Sequence, residues 1–326
     1  MIISRTPFRI SFVGGGSDLA SFYQKHSGAV VSTTIDKYMY LTVNKIFGNN
    51  IRVSYSETEI VDHVDQIKHK LVREILKYLG IANQIEITSM ADIPSKGAGL
   101  GSSSAFAAGL INALKAHQNE FAAAESLAKA ACHIEIERCG EPIGKQDQYA
   151  VAYGGLNYIR FNPDGTVEVQ PIICRPDVKE RLDKNLMMLY TGITRSAADV
   201  LSEQKSNYET KADKVAIMKR MVKLADDLKE ELEHNNLEAF GEILHENWQL
   251  KKQMAGGITN SQIDGWYDQA RRAGAIGGKI LGAGGGGFLL IYAPAERHAA
   301  IKNALPDLRP VDFKFEKEGS KIIFIH

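Results

Sequence analysis

Long apolar runs are missing from this chain of 326 residues, and none approaches the length needed to cross a bilayer. Cysteine is scarce. Cys132, Cys139 and Cys174 form no metal-binding spacing, and three thiols cannot all pair with one another. A chain of this size needs no disulfide staples, so buried reduced thiols are expected. None of the nine histidines forms an H-x-x-x-H pair, so no zinc site is expected. An excess of either charge is also lacking: Lys plus Arg number 39, and so do Asp plus Glu. That balance excludes a global field that recruits nucleic acid or an anionic membrane. An anionic ligand would have to be held by local groups. The first residues run directly into strand-like sequence, without a basic region and apolar signal core, so a cytoplasmic protein is expected. There is no internal repeat or low-complexity tract.

What is present suits a large packed core, since 44% of the residues are hydrophobic and the length allows two domains. Residues 2–13 read as a strand that breaks at Gly14-Gly15-Gly16-Ser17-Asp18. Ser17 and Asp18 are good caps for a short helix after it. Residues 30–35 and 38–43 read as two strands around a turn at Asp36-Lys37, and 51–55 and 85–88 as further strands. Ile67, Leu71, Ile75 and Leu79 have helical spacing. Helices are expected at about 103–117 and 121–138, then a hairpin around Asn162-Pro163-Asp164-Gly165. A composition shift at 171–177 suggests a boundary, giving domains 1–172 and 173–326. The second half reads as a strand at 186–190, amphipathic helices at about 196–233, 237–253 and 260–273, a strand at 288–292, a helix at about 295–304 and a last strand at 321–325. Strands and helices mix without strict alternation, which points to an α+β fold.

The organising stretch is P-S-K-G-A-G-L-G-S-S-S-A, residues 94–105. Alternating glycines permit close backbone approach, and a helix N-terminus presents unpaired N–H groups to an anion. Ser102, Ser103 and Ser104 add hydroxyls that can cap the helix, bond phosphate or bind Mg²⁺. No Gly-Lys-Ser/Thr closes the loop, so it is not a Walker A motif. The bland alternative is a serine-capped helix after a glycine turn.

Other segments could carry chemistry. Arg9 interrupts an apolar strand in T-P-F-R-I-S-F-V-G-G-G-S-D, where it could stabilise developing charge or simply face solvent. Asp18 could bind a polyol or cap a helix. Glu135 and Glu137 point about 200° apart on a helix, so only one can face a site. Lys145 and Asp147 lie close together in G-E-P-I-G-K-Q-D-Q. An aspartate beside a cation can orient a hydroxyl nucleophile, although a charged turn has the same look. Arg195, in T-G-I-T-R, precedes a long helix. Gly282, Gly284 and Gly287 satisfy G-x-G-x-x-G, but a strand follows rather than a helix, which excludes NAD binding there. Four consecutive glycines still suggest close approach to a ligand or another loop.

Taken together, the segments at 6–18, 94–105 and 279–288 resemble, in order, the three signatures of the GHMP kinase family. Within that family G-G-G-S-D-L, G-E-P-I-G-K-Q-D-Q, T-G-I-T-R and H-E-N-W-Q-L-K at 245–251 are similar to the heptose 7-phosphate kinase branch. The resemblance implies an N-terminal domain like ribosomal protein S5 domain 2 and a ferredoxin-like C-terminal domain, with the site between them. It implies phosphorylation of an anomeric hydroxyl by ATP, with a sugar phosphate as partner. Pro94, Gly97, Ala98, Gly99, Leu100, Gly101, Ser102, Ser103 and Ser104 would form the ATP loop. Ser103 and Glu135 would hold Mg²⁺, Asp147 would be the catalytic carboxylate and Arg9 its cation. Gly15, Gly16, Ser17, Asp18, Lys145, Arg195, Gly284 and Gly285 would meet the substrate. Gly15-Gly16 stands where galactokinases carry Glu-His, which argues against galactose. Ala20 replaces a proline usual in the heptose branch. A fucose kinase or a non-catalytic sugar sensor would share the same loops. Neither nucleic acid nor membrane is an expected partner, and the oligomeric state is left open, a homodimer included.

Overall fold

The computed structural model describes residues 1–94, 98–193 and 197–326. Two sheets, with helices packed on them, divide the elements. The first sheet begins with β1 (Ile2–Val13) and β2 (Gly28–Lys45), followed by β3 (Ile51–Ser54), β4 (Thr58–Val61) and β5 (Ile85–Ala91). A hairpin of β6 (Leu156–Phe161) and β7 (Val167–Pro171) joins it. The second sheet is antiparallel, in the order β11-β8-β10-β9, from β8 (Leu186–Tyr190), β9 (Gly277–Ile280), β10 (Phe288–Tyr292) and β11 (Arg309–Val311). The chain then returns to the first sheet. β12 (Phe315–Glu316) pairs with β2, and β13 (Lys321–Ile325) pairs with β1. A division at 172/173 therefore does not hold to the end of the chain, because its last strands complete the first sheet.

The expected turn at Asp36-Lys37 is a bulge inside one strand of 18 residues. Ile35 faces Phe8 and Tyr38 faces Pro7, so two residues of β2 have no opposite number on β1. A bulge bends a strand without ending it. The bend lets the first half of β2 pair with β6 and the second half with β5. Residues 314–316 fill the gap: Asp36 N donates to Lys314 O, and Lys314 N to Asp36 Oδ1.

The helices of the first half are α1 (Ala20–His26), α2 (Lys70–Tyr78), α3 (Ser102–His117), α4 (Ala124–Cys132) and α5 (Gln146–Tyr153). α3 is apolar on all sides and buried from Ser104 to Leu114, as a helix through the core should be. α4 continues into a π-helical turn, His133–Arg138. The second half carries α6 (Pro176–Asn185), α7 (Ala197–Thr210), α8 (Ala212–Glu233), α9 (Phe240–Lys251), α10 (Ser261–Arg272) and α11 (His298–Ala304). The stretch expected as helix over 196–233 is thus two helices, parted by Lys211 in extended conformation. One core runs through the first sheet, α3 and the inner faces of α8 and α9. A second gathers Trp248, Trp266, Tyr267 and Met221 under the second sheet, and takes in Leu19 and Phe22 from the first half. All three cysteines are free thiols.

Candidate active site

The ends of β1, α3 and α5 meet α7, α9 and β9 around a cavity of about 440 Å³. Arg9 enters it from β1, where a cation in the middle of a sheet strand would otherwise be costly to bury. Its cost is offset by a two-pronged pair. Arg9 Nε and Nη2 donate to Asp147 Oδ1 and Oδ2, both at 2.7 Å, while Nη1 donates to Gly99 O at 2.7 Å. Arg9 is 4% exposed, whereas the Asp147 side chain keeps 25% of its surface, so the carboxylate is the half that faces the cavity. Asp147 sits in the first turn of α5, and 138 residues separate it from Arg9 in sequence.

The glycine loop reaches α3 through Gly101, whose φ of 73° places it in the left-handed region. No side chain caps the helix. Two of the hydroxyls expected as caps are turned elsewhere. Ser103 Oγ donates to Glu135 Oε1 at 2.5 Å, and Ser104 Oγ to Glu135 Oε2 at 2.8 Å. Gln148 Nε2 completes the set at 2.7 Å from Oε2. Glu135 lies in the π-helical turn, fully enclosed, and burial pushes its carboxyl up to about 7. Glu137 points outward to His133 instead. The separation expected for the two glutamates therefore holds in the wider turn as well.

The third glycine segment abuts the second directly. A Cβ on Gly99 would collide with Leu281 O, and one on Gly282 with Gly99 Cα. Gly282 and Ala283 line the cavity. Gly284 and Gly285 do not, because they are packed against Ile258, whose carbonyl accepts from Gly285 N.

The first glycine turn is held from the other side. Asp18 is buried and ties the turn to α5: Oδ1 accepts from Gly16 N and Gln146 Nε2, and Oδ2 from Gln146 N. Burial raises its pKa, against those hydrogen bonds. It does not cap α1, whose N-cap position is Leu19 and carries no side-chain cap. Ser17 is turned away from the cavity, with its Oγ exchanging hydrogen bonds with the backbone of Ala29. Lys145 is also outside the lining. Its Nζ donates to Gly165 O and lies over the Tyr23 ring. Gly15, Gly16, Asp18, Gly99, Gly101 and Ser102–Ser104 do line it. Ala98 and Leu100 are buried beneath the loop, and Leu100 O accepts from Arg9 N. Pro94 borders a second cavity of about 600 Å³, which shares Ser102 and Ser103 with the first. Gly97 and Arg195 lie outside the described residues.

Two lysines in the lining were not singled out from the sequence. Lys251 ends α9, and Lys279 stands on β9. Both are almost wholly buried, and burial lowers them to about 8 and about 7. A lone lysine in an amphipathic helix reads as a solvated one. Only its position at the head of K-I-L-G-A-G could have marked Lys279.

The same segments bear a family signature. Residues 64–155 match the model of the GHMP kinases N terminal domain, and residues 228–309 match that of the GHMP kinases C terminal. The chain belongs to the GHMP kinase family. This GHMP kinase is 30% identical to the D-glycero-alpha-D-manno-heptose 7-phosphate kinase of Campylobacter jejuni, over 98% of both chains. It is 27% identical to the bifunctional fucokinase/GDP-fucose pyrophosphorylase of Arabidopsis thaliana, over 94% of this chain but 31% of the plant protein. In structure it superposes on a D-glycero-D-manno-heptose 1-phosphate kinase of Bacteroides thetaiotaomicron with a TM-score of 0.82, at 23% identity and full coverage of both chains. That likeness carries the two-domain α+β fold. The chain is thus a kinase by family, and the family is ATP-dependent. No helix among the described residues is long and apolar enough to cross a membrane.

Proposed function

We propose that this kinase transfers the γ-phosphoryl group of ATP to the anomeric hydroxyl of D-glycero-D-manno-heptose 7-phosphate, giving the 1,7-bisphosphate for nucleotide-activated heptose synthesis in the cytoplasm. The observation that carries the reading is the Arg9–Asp147 pair, opened on its carboxylate side at the N-terminus of α3. Phosphoryl transfer asks a protein mainly to position reactants and neutralise charge. The N–H groups at the N-terminus of α3 receive phosphate oxygens. The second cavity, with Tyr55, His69 and Phe106 in its wall, takes the nucleoside, since Ser102 and Ser103 join it to the reaction site. Arg9 stabilises charge as it develops, and Asp147 orients the acceptor hydroxyl on lone pairs that Arg9 leaves free. Asp18, fixed by Gln146, offers its remaining lone pair to a sugar hydroxyl.

Glu135 and Ser103 suit Mg²⁺. Glu135 is a buried carboxylate whose hydrogen-bond partners are two hydroxyls and an amide, with no cation within ion-pair distance among the described residues. Among the described residues no group of three or more His, Cys, Asp or Glu is placed to hold a metal ion. One carboxylate and one hydroxyl, completed by phosphates and water, is how Mg²⁺ is commonly held, and the ion would screen the phosphate charge.

Turnover with Mg-ATP across a panel of sugars and sugar phosphates, with the new phosphate located by ³¹P NMR, tests the reading. Product phosphorylated at C1 of heptose 7-phosphate is expected. Turnover on free L-fucose or free heptose in preference would replace it with the reading that the plant relative favours. Arg195 remains a candidate for the distal phosphate. An unchanged KM for heptose 7-phosphate in Arg195→Ala would remove it.

A further inference from the structure

We propose that Lys251 receives the phosphate group of the acceptor and so sets the preference for a phosphorylated over a free sugar. The inference rests on the cleft being the sugar-phosphate kinase site described above.

The three residues of the first glycine turn are each gripped by a side chain from the second half. Asn247 Oδ1 accepts from Gly14 N at 3.1 Å, Lys251 Nζ donates to Gly15 O at 3.0 Å, and Tyr208 OH donates to Gly16 O at 3.2 Å. Asn247 and Lys251 are one turn apart on α9 and so share a face. Neutral groups do this task at Gly14 and Gly16. A fastening at Gly15 alone would need no charge, and an ammonium is the costlier group to bury.

The charge is also left without an opposite partner. Lys251 is 5% exposed, and its second contact is the neutral amide oxygen Gln204 Oε1, at 3.0 Å. Among the described residues no carboxylate lies within ion-pair distance of it, and Asp18 attracts it only through space. An ammonium has three N–H donors, so one is unspent. It lines the cavity beside Gly15 and Gly16. A side chain on Gly16 would collide with the Gln204 amide and crowd the ammonium, so the glycine keeps this corner open. Lys279, whose Nζ donates to the carbonyls of Ser11 and Phe12, adds a second buried amine near enough to repel Lys251 when charged. Two buried lysines in one wall, with no carboxylate within ion-pair distance among the described residues, disfavour each other's charge, and an anionic acceptor relieves this. Lys145, the nearer choice from sequence, is occupied outside the cavity.

The test uses the full chain with Mg-ATP and two acceptors, D-glycero-D-manno-heptose 7-phosphate and free D-glycero-D-manno-heptose. Lys251→Gln keeps a donor for Gly15 O and removes the charge. Its KM for the phosphorylated sugar should rise about ten- to a hundredfold, the scale of a lost charged hydrogen bond. Its kcat, its KM for ATP and its KM for free heptose should change little, and Lys251→Arg should recover part of the loss. Lys251→Met serves the same comparison if the glutamine variant does not fold. Equal losses on both acceptors, or a loss confined to kcat, would overturn the assignment and leave Lys251 a fastener of the turn. A wild-type enzyme with no preference for the phosphorylated sugar would instead sink the substrate reading, and the role of Lys251 with it. A wild-type preference that survives intact in Lys251→Gln would sink the role of Lys251 alone.

Discussion

At the scale of single residues, Asp147 in the cleft lining and Glu135 buried behind Ser103 and Ser104 are given different environments. Asp147 is held by a guanidinium and half open, while Glu135 is enclosed by hydroxyls and an amide. Such a contrast separates roles. Asp147→Asn keeps the shape and removes the charge. Turnover should fall by at least roughly a hundredfold, the usual scale for loss of a general base, with ATP affinity held. Near-wild-type turnover would take Asp147 out of the chemistry. Glu135 makes a pH-dependent prediction. Burial pushes its carboxyl up to about 7, so below that pH a proton occupies an oxygen that the proposed Mg²⁺ ion would need. The Mg²⁺ concentration for half-maximal activity should fall as pH rises from 6 to 8. In Glu135→Gln it should be raised at least about tenfold and lose that slope, as titrations at several pH values would show.

At the scale of elements, the site depends on two glycine loops touching. Gly99 has φ of 74° and Leu281 O against its missing side chain. Gly80 has φ of 69° and open space around it. Alanine at either position carries the left-handed cost of about 1–2 kcal/mol. Gly99→Ala should also force the loops apart, so its urea midpoint should drop well beyond that of Gly80→Ala. Equal drops would mean that the contact between the loops is soft. The loops themselves were legible in the sequence, because glycine spacing encodes backbone conformation and is local. So was the pairing of Arg9 with Asp147, through the family resemblance rather than through spacing. Other features were not legible, since tertiary contacts decide them. A dipeptide such as Asp36-Lys37 reads as a turn until the C-terminal segment is seen to fill the bulge. Ser17 and Asp18 look like caps until Ala29 and Gln146 claim them. Lys251 looks solvated until α9 is seen to face the first glycine turn.

At the scale of the whole molecule, the second half brings two buried lysines to the cleft it shares with the first, with no carboxylate within ion-pair distance among the described residues, and this should show in stability. A lysine is protonated up to about 10.4 in the unfolded chain. In the folded chain burial, with repulsion from Lys251 and Arg9, lowers Lys279 to about 7. Below about 7 both states carry the proton, and the full penalty of burying the charge is present. Between 7 and about 10.4 the unfolded chain holds more protons than the folded one, so stability rises with pH, by up to about 1.4 kcal/mol per pH unit for one lysine. Lys279→Met removes this titration while filling the same space. The melting temperature of the variant minus that of the wild type, measured without ligands, should therefore be most favourable to the variant near pH 6.5. It should decline by roughly 1–3 °C per pH unit toward pH 9. Taking the difference cancels groups common to both chains. Parallel melting curves across that range would mean that water or backbone carbonyls solvate the Lys279 ammonium well enough to keep it charged, and that the cleft has less need of an anion than its geometry suggests.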